Sequence, residues 1–472
     1  MNKEEMCFIS ACDMAEKIKN QELTSSEITE AIIERIKKIN PIVNAYCTPT
    51  FELAREMAKK SDEAIKKGEK LGKLHGIPIS IKDLIETKGI RTTYGSLIYE
   101  HYVPDVDEIV VKRLKDAGCV ILGKTNTPEI GHKTATDNFI FGETVNPWDL
   151  KKTCGGSSGG AAVAVATGMS PLALGSDGGG SIRIPASFCG VYGLKPTFGR
   201  IPRIFKNMAY SIFSHYGPLT RFVKDAALML DAMAGPYPAD KYSIPQKNPN
   251  FLKNLEEEPN NLKIGYSLDL NVKACDEEVE KSILDAVQKF QAFEWCSSLE
   301  KVKIILKKAL IALSTNVAAA MYYDYKPFID QWREKMAPEL VRMIDAGMEL
   351  KAFDLFRAES YAKEINNTIN QYFKKYDILI TPTTPIPAIE LGIPYPSKIA
   401  GKSTPPTGLM GFCYPFNITW NPAASIPCGW TSHGLPIGMQ IIGKRLDEIT
   451  ILQVSKAFED LQPWQNKKPR FN

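Results

Sequence analysis

Two hydrophobic periods alternate along the chain. In LTSSEITEAIIERIKKIN, Ile28, Ile32, Ile36 and Ile39 recur at helical spacing, and Thr24 followed by Glu27 forms a capping box that starts a helix. FELAREMAKKSDEAIKKG predicts a second helix that stops at Gly68. The period then changes: GIPISIKDLI alternates with Ile77, Ile79 and Ile81 on one face, the pattern of a half-buried strand. VVKRLKDAGCVILGKTN reads as a helix, a glycine stop and an apolar strand from Cys119 to Leu122, while AAVAVATG, small and apolar throughout, suits a buried helix lying close to a sheet. Farther on come a short strand in LKIGYS, helices up to about Tyr372, and a buried strand in YDILITPTTPIPA that runs into a proline-rich loop. SIPCGWTSHGLPIGMQIIGK predicts a hairpin and TILQVSKAFEDL a closing helix. Between the halves, GPYPADKYSIPQKNPNFLKNLEEEPNN has the composition of a linker or surface excursion. Helices alternating with strands in this way predict an α/β chain.

Composition narrows the function classes. At 472 residues the chain is long enough for two or three average domains or for one large α/β sheet. With 58 Lys+Arg against 54 Asp+Glu it carries no electrostatic footprint for nucleic acid or an anionic membrane. No segment reaches the ~18 consecutive apolar residues of a membrane span, and MNKEEMCFIS lacks the apolar stretch of a leader, so the expectation is a soluble, cytoplasmic protein. Ten cysteines are scattered without a C-x-x-C or a histidine at metal-ligand spacing, which predicts free thiols and no metal site.

Several short patterns point to chemistry that their surroundings do not support. GCVILGKT, Gly118 to Thr125, fits the phosphate-loop expression, but its middle residues are those of a strand rather than a loop of inward-facing amides. The sequons at Asn366 and Asn417 carry no meaning in a cytoplasmic chain. GGSSGG fits a nucleophile elbow centred on Ser157 or Ser158, yet the preceding NPWDLKKTC reads as a loop and not as the strand an elbow requires. Of five histidines only His215 and His433 follow the serines, and each sits where local hydrogen bonding accounts for it; a Ser-His-Asp hydrolase stays open as an alternative mechanism. Lys82 offers another base. It ends the apolar alternation GIPISIK, and burial there lowers an amine's pKa from about 10.4 toward neutrality, whereas a lysine snorkelling from a strand end is the bland alternative.

GIPISIKD, GKTNTPE, FGETVNPWDL, GGSSGG and GSDGGGSIRIPASFCGVYGLKPTFGRIP closely resemble the signature blocks of the amidase signature family of serine hydrolases. The likeness runs from about Thr24 to Gly235 and resumes from Tyr376 through NITWNPAASIPCGW and GLPIGMQIIG; residues from about 240 to 370 match nothing in it. It implies one α/β domain with a large, mostly parallel mixed sheet flanked by helices on both faces. Within it, 1–70 are N-terminal helices, 71–235 the signature core, 236–375 a variable and mostly helical insertion, and 376–472 the C-terminal part of the sheet. The resemblance further implies a Ser-cisSer-Lys triad: Ser181 as nucleophile, Ser157 as relay behind a cis Gly156–Ser157 peptide, and Lys82 as neutral base. The backbone N–H groups of Gly178, Gly179, Gly180 and Ser181 are then the oxyanion donors, helped by a helix starting at Ser181. Gly178 departs from the Thr or Ile that many relatives carry, and Cys154 stands where proline is common. Asp177 and Arg183 are read as bracing the loop, and Lys195 as structural.

For the substrate pocket the resemblance points to GHKTATDNFIFG and PRIFKNMAYSIF, hence Gly131, His132, Phe139, Phe205 and Tyr210, with Phe141 and Phe213 adding apolar surface and Arg203 and Lys206 near the rim. The implied activity is cofactor-free cleavage of carboxamide C–N bonds in small neutral aryl or alkyl amides, with carbamates (urethanes) as secondary substrates. Nucleic acid and membranes are not expected partners, and a monomer or homodimer is expected. The glutaminase component of a tRNA-dependent amidotransferase is the alternative.

Overall fold

The computed structural model describes residues 1–204, 212–270, 274–393, 395–405 and 407–471. Eleven of its strands assemble into one mixed sheet, and two short two-stranded ribbons, Asp137–Asn138 with Gly142–Glu143 and Lys398–Ile399 with Lys402–Ser403, lie outside it. We number the sheet strands β1 (Tyr46–Pro49), β2 (Pro78–Lys82), β3 (Val120–Thr125), β4 (Leu172–Asp177), β5 (Tyr192–Lys195), β6 (His215–Thr220), β7 (Leu262–Tyr266), β8 (Cys296–Lys301), β9 (Ile378–Pro382), β10 (Ala423–Trp430) and β11 (Pro436–Gly443). Their order across the sheet is β1-β3-β2-β4-β6-β5-β10-β11-β9-β7-β8. Parallel pairing occupies two flanks, β3-β2-β4 on one side and β9-β7-β8 on the other. The strands between them, and the edge strand β1, pair antiparallel.

The helical pattern at the start of the chain folds as its spacing predicts. The helix Ser25–Val43 has Thr24 as N-cap with both hydrogen bonds of the capping box to Glu27, and it buries Ile28, Ile32, Ile36 and Ile39. Phe51–Lys66 forms the second helix, Ile109–Asp116 the third, and Gly159–Ala166 a helix buried at every residue. The hairpin is β10 and β11, and β9 is buried throughout before its proline-rich exit. The segment from GPYPADK to EEPNN holds one short helix, Phe251–Asn254, and otherwise turns and irregular backbone.

Strand β2 differs from expectation. It is not half-buried: all five residues from Pro78 to Lys82 are buried. Successive side chains of a strand point to opposite faces, so both faces of β2 are covered. The alternation of Ile79 and Ile81 with Ser80 and Lys82 therefore records polar groups turned inward, not outward. The middle of the chain, expected to be mostly helical with one strand, also supplies β8, which pairs parallel with β7 at the sheet's far edge. Its long helices Ala309–Trp332, Pro338–Met348 and Ala352–Phe373 form a second apolar core around Met321, Leu340, Ile344 and Ile369, which reaches the sheet at Leu379 and Ile442. Among the described residues no helix is long and apolar enough to cross a membrane.

Candidate active site

Lys82 ends β2 with its side chain wholly buried. Its Nζ lies 2.7 Å from Ser157 Oγ, 2.9 Å from Ser158 Oγ and 3.1 Å from Ser176 Oγ. Burial pushes the amine well below the ordinary lysine range; the Asp177 carboxylate pulls the other way and the Arg203 guanidinium adds to the lowering. A neutral amine has two N–H groups and one lone pair. The Ser158 hydroxyl donates to Ser176 O at 3.1 Å, so toward Lys82 it can only accept, and Ser176 takes the second N–H. That leaves the lone pair for the O–H of Ser157. Asp83, next in sequence, turns away: its Oδ2 accepts from the backbone N–H and hydroxyl of Thr93 at 3.1 and 2.5 Å.

Local sequence brings the serines to this lysine. Ser157 follows a cis Gly156–Ser157 peptide. A Cβ on Gly156 would stand 2.7 Å from the Ala135 carbonyl oxygen, so glycine is required where the two segments pass. Ser181 closes the glycine loop after β4 and shares with Ser157 the wall of one cavity of about 290 Å³.

The loop is held by a buried ion pair. Arg183 donates to Asp177 through Nε and NH2, both at 2.9 Å, and reaches Cys413 O, Gln440 Oε1 and Asn417 Oδ1 with its other N–H groups. Burial alone raises the Asp177 pKa, but Arg183 and Asn417 outweigh it and hold the carboxyl far below the carboxylate range. Asp177 also accepts from the Gly180 amide at 2.7 Å and the Ile182 amide at 3.2 Å. This corrects one expectation: the Gly180 N–H is committed to Asp177 and is not an oxyanion donor in this arrangement. Gly178, Gly179 and Ser181 do line the cavity. The helix, too, starts later than expected, at Arg183.

The other candidate bases lie elsewhere. His215 Nδ1 is 2.7 Å from Phe213 O, its ring packs on Phe198, and burial keeps it neutral; among the described residues it bonds to no serine. His433 is exposed in the β10–β11 turn. Lys195 is buried and donates to the carbonyls of Pro196 and Asn421. Within GCVILGKT, Val120–Thr125 is strand β3, and Lys124 donates to Ile85 O and to the hydroxyls of Thr87 and Thr92, fixing the loop that carries Leu84 and Tyr94 to the cavity. Cys154 is buried, and burial pushes its thiol up to about 12. No group of three or more His, Cys, Asp or Glu among the described residues is arranged to hold a metal ion.

Of the pocket residues, Gly131 and His132 line the cavity. Phe139 does not: it is 61 % exposed and borders a separate cavity of about 390 Å³. Its backbone neighbours Ile140 and Phe141 bond to Asn138, which turns the segment away from the serines. Phe213 is buried in the helical core, Phe141 packs under Arg91, and Phe205, Lys206 and Tyr210 lie outside the described residues. Arg203 lines the cavity, with its guanidinium 4.9 Å from the Tyr216 ring centre. The apolar wall comes instead from Leu84, Tyr94, Ile130, Tyr216, Met343 and Met410. Met343 belongs to the helix Pro338–Met348, in the stretch unlike any signature block, where no local pattern marks it.

The family model for amidases matches residues 27–452. The chain belongs to the amidase signature family. It is 37 % identical to the A component of the glutamyl-tRNA(Gln) amidotransferase of Carboxydothermus hydrogenoformans, over 99 % of this chain and 100 % of that one. It is 36 % identical to an acylamidase of Rhodococcus erythropolis, over 99 % and 98 %. The crystal structure of a bacterial aryl acylamidase of the amidase signature family superposes with a TM-score of 0.91 at 30 % identity, over 97 % of each chain. At the level these likenesses carry, the protein is an amidase signature hydrolase of amides.

The ion pair under the glycine loop makes a stability prediction. Asp177→Ala leaves a buried guanidinium without its counter-charge and is expected to cost about 3–5 kcal/mol, read as a lowered unfolding midpoint in urea. The double variant Asp177→Ala, Arg183→Met should recover part of that loss. A single variant as stable as the parent contradicts the role given to the pair.

Proposed function

We propose that the protein hydrolyses the C–N bond of neutral aryl or medium-chain carboxamides, and secondarily of carbamates, through a Ser181 acyl-enzyme with Ser157 and Lys82 as its proton relay. The observation that carries this is the 2.7 Å contact between a fully buried Lys82 and Ser157, in a cavity whose wall also contains Ser181. Ser181 Oγ forms a bond to the carbonyl carbon while its proton passes to Ser157 and the proton of Ser157 passes to Lys82. The amides of Gly178, Gly179 and Ser181 face the oxygen that gains charge. On collapse the C–N bond breaks, the nitrogen takes the Ser157 proton, and Lys82 returns one to Ser157. Water then attacks the acyl group by the same relay, and the acid leaves.

The inner wall supports a neutral substrate. Leu84, Tyr94, Ile130, Met343 and Met410 offer apolar surface. Two of the charges at its edge are already answered within the chain, Lys133 by Asp137 at 2.6 Å and Glu339 by Arg342 at 3.8 Å. Most of this wall cannot answer the charges of free glutamine, and its guanidinium, Arg203, lies over the Tyr216 ring. A second reading, the glutaminase component of an amidotransferase that passes ammonia to a partner, is favoured by the 37 % identity to such a protein over nearly the whole chain.

Ser181→Ala is expected to abolish turnover and covalent labelling by a fluorophosphonate, and Ser157→Ala to be severely impaired while still labelling slowly. Mass spectrometry that located the adduct on Ser157 or Ser158 would overturn these roles. Between the two readings, kcat/KM for a 4-nitroanilide, an aryl carbamate and glutamine at one pH decides: the anilide is expected to lead. Glutamine ahead by tenfold, ~1.4 kcal/mol of transition-state preference, together with co-purification of a second protein, favours the amidotransferase.

A further inference from the structure

Glu129 is a buried carboxylate that neither the serine relay nor the glycine loop uses. Its Oε1 accepts from the Ser96 hydroxyl at 2.7 Å and its Oε2 from the Ala337 amide at 2.6 Å. Burial pushes the carboxyl above the ordinary glutamate range, while the Ala337 amide, the Ser96 hydroxyl and the Lys133 ammonium pull it down. The two bonds join three parts of the cavity wall. Ser96 stands in the loop that carries Tyr94. Glu129 itself opens the turn of Ile130 and Gly131, where a Cβ on Gly131 would stand 3.2 Å from Ser157 Oγ. Ala337 is the N-cap of the helix Pro338–Met348, which brings Met343 to the cavity. The Ile130 amide also donates to Tyr94 O at 2.7 Å, and Ile130 is held at a φ of +53°, a conformation that a β-branched residue keeps only where its surroundings impose it.

The bond to Ala337 replaces one that the helix cannot make for itself. In a capping box the third helical residue, Glu or Gln, turns back and accepts the N–H of the N-cap. Here that residue is Leu340, buried in the helical core, and Ala337 has no side-chain oxygen with which to cap. Glu129 takes the part from 208 positions away in the sequence and sets a negative charge at the positive end of the helix. Leu340 and Ile344 press the helix onto its core, but apolar contact has no direction. The charge-assisted bond supplies the direction and fixes where the helix stands along the wall. We infer that Glu129 is a positioning residue that sets this helix against the turn beside Ser157, so that Met343 completes the apolar wall and the site selects longer acyl chains over short ones. This rests on the proposed amide hydrolysis through Ser181 and Ser157. The wall holds the chain alike before and during the reaction, so the preference lies in KM more than in kcat.

Two 4-nitroanilides, acetyl and hexanoyl, assayed on the full chain test this. Ala337 has a φ of −59° and a ψ of 130°, which proline adopts, and Met336 before it is extended, so Ala337→Pro removes the one N–H and keeps the backbone. Glu129→Ala and Ala337→Pro are each expected to raise KM for the hexanoyl anilide about tenfold and to leave the acetyl anilide within about threefold. Glu129→Gln, whose Oε1 accepts from Ala337 while its N–H donates to Ser96 Oγ, should keep the preference of the parent. Equal losses on both substrates, an unchanged preference in Ala337→Pro, a Gln variant as impaired as the Ala variant, or a parent that does not prefer the hexanoyl chain overturns the inference. Where Glu129→Ala does not fold, Ala337→Pro decides. The same preference is read without amide turnover from the rates at which ethyl and octyl fluorophosphonates label Ser181. A parent that labels but cleaves neither anilide contradicts the proposed substrates alone, and one that takes no label contradicts the serine assignment.

Discussion

The proposed proton relay depends on Lys82 being out of water. A lysine at its ordinary pKa of about 10.4 is an acid at neutral pH and offers no lone pair. The sheet removes that obstacle by placing Lys82 at the end of a strand buried on both faces, among serine oxygens rather than carboxylates. Desolvation is the largest influence on this amine, and the nearby negative charge of Asp177 opposes it. That charge is kept from raising the lysine's pKa back to its usual value because Arg183 and Asn417 hold it from the other side.

The Asp177–Arg183 pair has a second consequence. By taking the amides of Gly180 and Ile182, Asp177 fixes the end of the glycine loop, whose earlier residues Gly178 and Gly179 line the cavity. Arg183 links this loop to Cys413, Asn417 and Gln440, from the C-terminal part of the chain. A buried ion pair of this kind is weak evidence for stability in itself, since desolvation offsets much of its attraction. Its value here is geometric, because one guanidinium ties a loop after β4 to β11 and to the segment before β10.

Local order is legible where the signal is local. The capping box of Thr24 and Glu27, the glycine stops and the β10–β11 hairpin all follow from neighbours in sequence. Lys82 is legible in part. Alternation places it on a strand, but only the resemblance of the surrounding blocks points to a base, because a strand-end lysine has the same pattern whether it turns inward or reaches for water. The alternation of β2 misleads for a related reason: Ser80 and Lys82 are polar, yet both are buried. Which amide of the glycine loop Asp177 captures, and that Ser158 and Ser176 surround the lysine, are settled by strand pairing and not by spacing. The cavity wall is the least legible part. Phe139 looks apolar enough to line it but lies on another surface, while Met343 and Met410 come from distant segments with no feature that announces a pocket.

The most direct test of the account is the pH dependence of kcat/KM. In the proposed relay Lys82 acts only in its neutral form, so activity should rise with pH through an apparent pKa well below the ~10.4 of an ordinary lysine. Below that value the amine is protonated and the rate falls. Lys82→Ala should lose that limb along with most of the activity, and His215→Ala should keep it. A rising limb that survives in Lys82→Ala, or that disappears in His215→Ala, contradicts the claim that a desolvated lysine drives this site.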